Sequence, residues 1–195
     1  MFRKERSNVL SEEQQTRLLQ LARATIEARL AGAPLPEVHD EEMSEIEFSG
    51  AFVTLTRHGQ LRGCIGLIGA QKSLEETVQI AAEGAALKDP RFPPLTPEEL
   101  KDTVIEISVL SPLQRIRSVR DIKVGRHGLL IKLGTAQGLL LPQVATENQW
   151  DRQTFLEHVC LKAGLPKDAW RSPEAELLVF EAQVFHESKV AESNA

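Results

Sequence analysis

Tyrosine is absent from the 195-residue chain, and cysteine, methionine and tryptophan occur only twice each. The lack of tyrosine excludes phenolic acid–base chemistry. Two cysteines far apart, Cys64 and Cys160, cannot build a zinc knuckle or an iron–sulfur cluster. The five histidines have no metal-ligand spacing, so the sequence predicts no metal site. Phosphate-cradling glycine loops and nucleophile-elbow serines are also missing.

Long hydrophobic runs are missing as well. No apolar run reaches membrane-spanning length, and the first residues lack the apolar core of a signal peptide. We therefore expect a cytoplasmic protein without a membrane anchor, in keeping with its low cysteine content. The formal net charge of -5 disfavours general binding to nucleic-acid backbones, although residues 115–126 are locally basic.

Helix and strand signals follow one another along the chain. Capping-box spacings at Ser11 and Ser73 predict the starts of two helices, and Asp151 can cap a third. Cys160 lies on the apolar stripe of that third helix, so we assign it to the core. Two hairpins are predicted, with turns at residues 57–60 and 134–138. Further strands are predicted at residues 104–110 and 177–185. The sequence predicts an α+β fold with a mixed, mostly antiparallel sheet and flanking helices. We expect a single domain over residues 1–187 and a flexible tail over 188–195.

The strongest candidate for a functional site is Leu61-Arg62-Gly63-Cys64-Ile65-Gly66, which places a cation and a thiol among glycines. Alternate side chains of a strand share a face, so we expect Arg62 and Cys64 to be neighbours, about 7 Å apart at their Cα atoms. A guanidinium there would stabilise a thiolate or bind an anion. Gly63 and Gly66 would let a ligand approach the sulfur. The alternative is a packed cysteine, with the glycines serving a bulge or close packing.

A stiff segment, residues 88–95, contains three prolines and three charged side chains. We expect it to form a wall of the site, with Lys88 and Arg91 binding an anionic group. Asp89 is a further candidate for ligand binding. We call these residues the proline segment.

Glu106 lies in an otherwise apolar strand, where an unpaired buried carboxylate would be costly. We expect it to have a cationic or hydrogen-bonding partner, with Arg62, Lys88 and Arg91 as the first candidates, and to orient these cations. A covalent cysteine mechanism would also need a base, and His58 or His127 could serve if folding brought one close. His127 is therefore a candidate site residue. The alternative for both histidines is turn geometry, because each stands beside a glycine.

Taken together, these motifs resemble the AMMECR-one domain family, whose bacterial members are called AmmeMemoRadiSam system protein A. The resemblance rests on residues 61–66, 87–95, 125–128 and 141–145, with Trp150 and Asp151. It implies an α/β fold of a larger and a smaller lobe, with the 61–66 signature near a cleft between them. It also implies association with a Memo-like protein and a radical S-adenosylmethionine (SAM) enzyme. This chain lacks the three-cysteine motif of that enzyme and would be its partner.

Two main functions follow from this pattern, and neither specifies a reaction or a cofactor. The first is an enzyme or enzyme component with Cys64 as a catalytic thiolate, stabilised by Arg62 and assisted by Glu106. The second is a non-catalytic module whose cleft or proline-walled surface binds a small ligand or a partner protein. Nucleic-acid binding through residues 115–126 is a third hypothesis.

Overall fold

The computed structural model describes residues 9–38, 43, 45–69 and 72–188, so most of the predicted tail lies outside the described residues. The helices are α1 (Glu12–Ala31), α2 (Leu74–Leu87), α3 (Pro97–Lys101), α4 (Pro142–Glu147) and α5 (Arg152–Lys162), with 3₁₀ helices at Val119–Asp121 and Ala169–Arg171. The strands are β1 (Gly50–Arg57), β2 (Gln60–Ile68), β3 (Thr103–Leu110), β4 (Gln114–Arg115), β5 (Gly128–Leu133), β6 (Ala136–Leu140), β7 (Glu176–Phe180) and β8 (Ala182–His186). No helix in the described residues is long and apolar enough to cross a membrane.

The strands form two four-stranded sheets, in the orders β2-β1-β3-β8 and β4-β7-β5-β6. The chain divides into a first unit, Met1–Val109 with Gln183–Ala195, and a second unit, Leu110–Ala182. The predicted α+β class is confirmed. The strand predicted over residues 177–185 is interrupted at Glu181, because β7 and β8 belong to different sheets.

In the first unit, helices α1 and α2 cover one face of the sheet. Both begin at the predicted capping boxes: Ser11 and Ser73 accept hydrogen bonds from the backbone of Gln14 and Glu76, whose side chains accept in return. The buried aliphatic side chains of the two helices and the sheet form a single core. Its central members are Leu18, Ala22, Ile26, Val53, Leu55, Val78, Ala82, Ala85, Ile105 and Ile107.

Strands β1 and β2 form the predicted hairpin. Its turn residues His58 and Gly59 have φ angles of 51° and 77°, the left-handed values of a type I′ turn. Thr54 lies opposite Cys64, but the register shifts after Leu55, so Arg62 has no residue opposite it. This β-bulge decides where the Arg62 side chain goes.

The second unit has its own core between its sheet and α5. Leu129, Ile131 and Val179 from the strands pack with Phe155 and Cys160 from α5. Cys160 is 0% exposed, which confirms its assignment to the core.

Candidate functional site

Both backbone polar groups of Cys64 form hydrogen bonds outside the β1–β2 hairpin. Its N–H donates to Asp89 Oδ2 at 2.9 Å, and its carbonyl accepts from Arg91 Nη2 at 3.3 Å. Strand β2 is an edge strand, and in an antiparallel pair every second residue points its backbone groups away from the partner. The proline segment therefore pairs with the sheet edge at Cys64.

Asp89 is the centre of this arrangement. It is 4% exposed and accepts from Arg91 Nη2 at 2.6 Å and from Arg91 Nε at 2.9 Å. The bonds from Arg91, together with the one from the Cys64 N–H, hold the pKa of Asp89 well below its usual range. Asp89 therefore keeps its negative charge, and its pairing raises the pKa of Arg91 in turn.

The sulfur of Cys64 lies on the sheet face opposite the helices, half-buried, and accepts a hydrogen bond of 3.3 Å from Thr54 Oγ1. Arg57, at the end of β1, contacts Asp102, the residue before β3, so these two strands run antiparallel. Since Ile105 and Ile107 face the core, Glu106 shares the face of Thr54 and Cys64. The structure thus places Cys64 and Glu106, two predicted catalytic residues, on one face of the sheet.

Arg62 is bound by a carboxylate of helix α3. Its guanidinium donates to Glu99 Oε2 at 2.8 Å, to Glu99 Oε1 at 3.1 Å and to the Pro94 carbonyl at 3.4 Å. This ion pair, with help from the Thr96 backbone, lowers the pKa of Glu99 to about 2. The ion-pair partner of the Arg62 guanidinium is therefore Glu99, and stabilisation of a Cys64 thiolate by Arg62 stays a prediction.

The expected cationic partners of Glu106 are also bound elsewhere. Lys88 Nζ lies 2.6 Å from Glu83 Oε1, while Arg62 and Arg91 pair with Glu99 and Asp89. Each of these three cations thus has a carboxylate partner other than Glu106. The role of Glu106 in orienting them stays a prediction.

The two glycines of the signature serve packing. A Cβ atom at Gly63 would lie 2.1 Å from the Ala85 carbonyl oxygen of α2, and one at Gly66 would lie 2.1 Å from the Phe52 ring. The space beside each glycine is filled by the protein's own atoms. The expectation that it admits a ligand is not met, and the packing alternative is the correct one.

The two turn histidines have local partners. His127, in the second unit, accepts at Nδ1 from the Lys123 N–H at 3.3 Å. Burial lowers the pKa of His127. His58 is exposed in the β1–β2 turn, with Nε2 4.0 Å from Asp102. Turn geometry thus accounts for both, and a ligand-binding role for His127 stays a prediction.

A model of the AMMECR1 family matches residues 19–185. The chain belongs to the AMMECR1 family. A protein of Methanosarcina acetivorans is 42% identical to it over 190 residues, covering 93% of this chain and 95% of the relative. Protein MJ0810 of Methanocaldococcus jannaschii is 43% identical over 192 residues, covering 92% of each chain. Among solved structures, uncharacterized protein PH0010 from Pyrococcus horikoshii is 40% identical, with a TM-score of 0.83 over 92% of this chain and 94% of that chain.

Sequence reasoning missed two members of this AMMECR1 site. Glu99 is the capping-box residue of α3, and it also binds Arg62 and lies 3.4 Å from Arg57. Phe92 lies beneath two guanidinium groups, with the Cζ atoms of Arg62 and Arg91 at 5.8 and 5.5 Å from its ring centroid. The only available signal was that Phe92 is the sole aromatic residue in the proline segment.

A cavity of about 450 Å³ in this AMMECR1 protein lies away from the signature. It is lined by one side of α1, including Leu18 and Leu21, and by Val38, Met43 and Glu75. The predicted cleft beside Cys64 is therefore a different place, and it stays a prediction.

Proposed function

We propose that this AMMECR1 protein is a cytoplasmic binding component of an AmmeMemoRadiSam system. Its contact surface is the exposed part of the site around Cys64, and its partners are a Memo-like protein and a radical SAM enzyme. The observation that carries the proposal is the pair of hydrogen bonds between the proline segment and the Cys64 backbone. These bonds hold the sulfur and Arg91 in a fixed relation before any partner arrives, which lowers the entropic cost of binding.

The charges at this site favour binding of an anionic group. Arg91 uses Nε and Nη2 for its bonds to Asp89 and Cys64, and 53% of its side chain is exposed. A guanidinium fixed by one carboxylate can still present its remaining donor, Nη1, to a second. Lys88, with 68% of its side chain exposed, stands three residues away. An acidic ligand or an acidic side chain of a partner would suit this surface.

The test is calorimetric titration of the full chain with the Memo-like protein and with the radical SAM enzyme of the same organism. We expect Cys64→Ser to bind within twofold of wild type and Arg91→Ala to bind at least tenfold more weakly. The matched control is Lys162→Ala, an exposed cation of the second unit. Unfolding curves of each variant separate lost binding from lost folding. Absence of wild-type binding to both proteins, or full binding by Arg91→Ala, would overturn the proposal.

A second candidate function is cysteine-dependent catalysis, with Cys64 as the nucleophile. It is favoured by the Thr54 hydroxyl, which donates to the sulfur at 3.3 Å and so helps to fix the position of the nucleophile. The distinguishing measurement is the consumption of S-adenosylmethionine by the assembled system. Catalysis by the thiol predicts at least a hundredfold loss in Cys64→Ser, whereas a binding role predicts little change.

A further inference from the structure

The second unit carries a basic segment, defined here as residues 115–126. It contains five cations, Arg115, Arg117, Arg120, Lys123 and Arg126, and one carboxylate, Asp121. The second unit as a whole has ten Lys or Arg and eight Asp or Glu, whereas the complete chain has 23 and 28. A positive segment therefore stands out on an acidic protein.

Two of these cations attach the segment to the rest of the second unit. Arg115 Nη1 lies 3.4 Å from Glu176 Oε1, and Arg126 Nε lies 2.8 Å from Glu181 Oε1. The one carboxylate is also used internally, because Asp121 Oδ2 accepts from the Ser118 N–H at 3.2 Å. The segment is thus held at both ends.

The other three cations point to an external partner. Arg117, Arg120 and Lys123 are exposed, and none of their side chains forms an ion pair with any residue that the structure describes. They recur at every third position around the 3₁₀ helix Val119–Asp121. Lys123 and Arg126 also contribute, after burial, to the lowered pKa of the half-buried His127, against an opposing effect of Glu181.

We propose that Arg117, Arg120 and Lys123 form a docking surface for an acidic segment of a partner protein. Exposed charges of one sign that lie close together in the chain steer and orient an oppositely charged partner. Val124, 37% exposed beside them, supplies an apolar contact of the kind that protein interfaces contain. This surface lies outside the Cys64 site, so the inference does not depend on the proposed function.

The composition of the segment favours a protein partner over a nucleic acid. Residues 115–126 contain no aromatic side chain, so the segment has none of the stacking platforms that single-stranded nucleic acids use. Three exposed cations would neutralise few phosphates, and the whole chain has a formal net charge of -5.

The experiment measures binding of fluorescently labelled poly-L-glutamate to the full chain by anisotropy at about 50 mM and about 200 mM salt, a range over which electrostatic binding weakens. The triple variant Arg117→Glu, Arg120→Glu, Lys123→Glu reverses the surface. The control triple variant Lys72→Glu, Lys162→Glu, Lys167→Glu makes the same change in net charge at exposed positions elsewhere. Thermal unfolding confirms that both variants fold.

We expect the surface variant to bind at least tenfold more weakly than wild type and the control variant to bind within twofold of it. Equal binding by the two variants, or no wild-type binding at the lower salt, overturns the proposal. A labelled DNA duplex and a single-stranded oligonucleotide are titrated in parallel. If either binds more tightly than poly-L-glutamate and loses affinity in the surface variant, the partner class is wrong.

Discussion

The backbone N–H of Cys64 donates to the carboxylate of Asp89, which lies 25 positions further along the chain, at 2.9 Å. Asp89 also binds Arg91, and Arg91 returns to the Cys64 carbonyl. Two motifs that are separate in sequence thus form a closed hydrogen-bonded ring at the edge of the sheet. Such an edge would otherwise present unpaired backbone groups.

Gly63→Ala should destabilise the first unit strongly. The new methyl group would meet the Ala85 backbone oxygen at 2.1 Å, so strand β2 or helix α2 must move, at a cost of about 3 kcal/mol. Gly66→Ala is the comparison, because there the obstacle is the Phe52 ring, a side chain that can change rotamer. Urea unfolding should show the larger loss of stability for Gly63→Ala. Equal losses would mean that the strand and helix are not in close contact.

Acid should weaken the Arg62–Glu99 pair in a defined pH range. The pKa of Glu99 is about 2 in the folded protein, below the value of about 4.3 in an unfolded chain, so the unfolded state takes up more protons as the pH falls. The contribution of Glu99 is complete above about pH 5 and is lost towards pH 2, amounting to at most about 3 kcal/mol.

Chemical unfolding of Glu99→Gln across this pH range tests the prediction. The variant should be less stable than wild type at neutral pH, and the difference should shrink as the pH approaches 2. Glu98→Gln changes an exposed neighbour in the same helix and should follow wild type at every pH. A constant difference between Glu99→Gln and wild type would contradict the assigned ion pair.

The two cysteines should differ sharply in reactivity. Cys64 is half-buried, while Cys160 is 0% exposed and its burial raises the pKa of its thiol. Iodoacetamide should modify one thiol of the native protein, none in Cys64→Ser, and both once urea has unfolded the wild type. Mass spectrometry of the labelled peptides identifies the site. Native labelling at Cys160 would show that the core of the second unit is open.

Much of the fold could be predicted from short-range signals. The capping boxes at Ser11 and Ser73, the hairpin turn at His58 and the apolar stripe that buries Cys160 all depend on residues a few positions apart. In each case the local pattern and the tertiary structure favour the same conformation. The family could be recognised for a similar reason, because each of its motifs is a short unbroken run of residues in the sequence.

The geometry of the site depended on information that the local pattern does not contain. Strand alternation placed Arg62 beside Cys64, but a bulge appears only when the register against β1 is known. Glu99 completes the capping box of α3, a role set by residues three positions apart, and that local spacing gives no sign of its pairing with Arg62. The interruption at Glu181 within an apolar run is likewise set by which sheet each half joins.

Amide hydrogen exchange at Cys64 tests the central claim most directly, that the proline segment holds the signature at the sheet edge. In the native protein the Cys64 N–H should exchange slowly, and Asp89→Asn should accelerate it at least tenfold. The neighbouring Ile65 N–H, opposite Val53 in the hairpin, should keep its protection in the variant. Fast exchange at Cys64 in wild type, or the same rate in Asp89→Asn, would contradict the account.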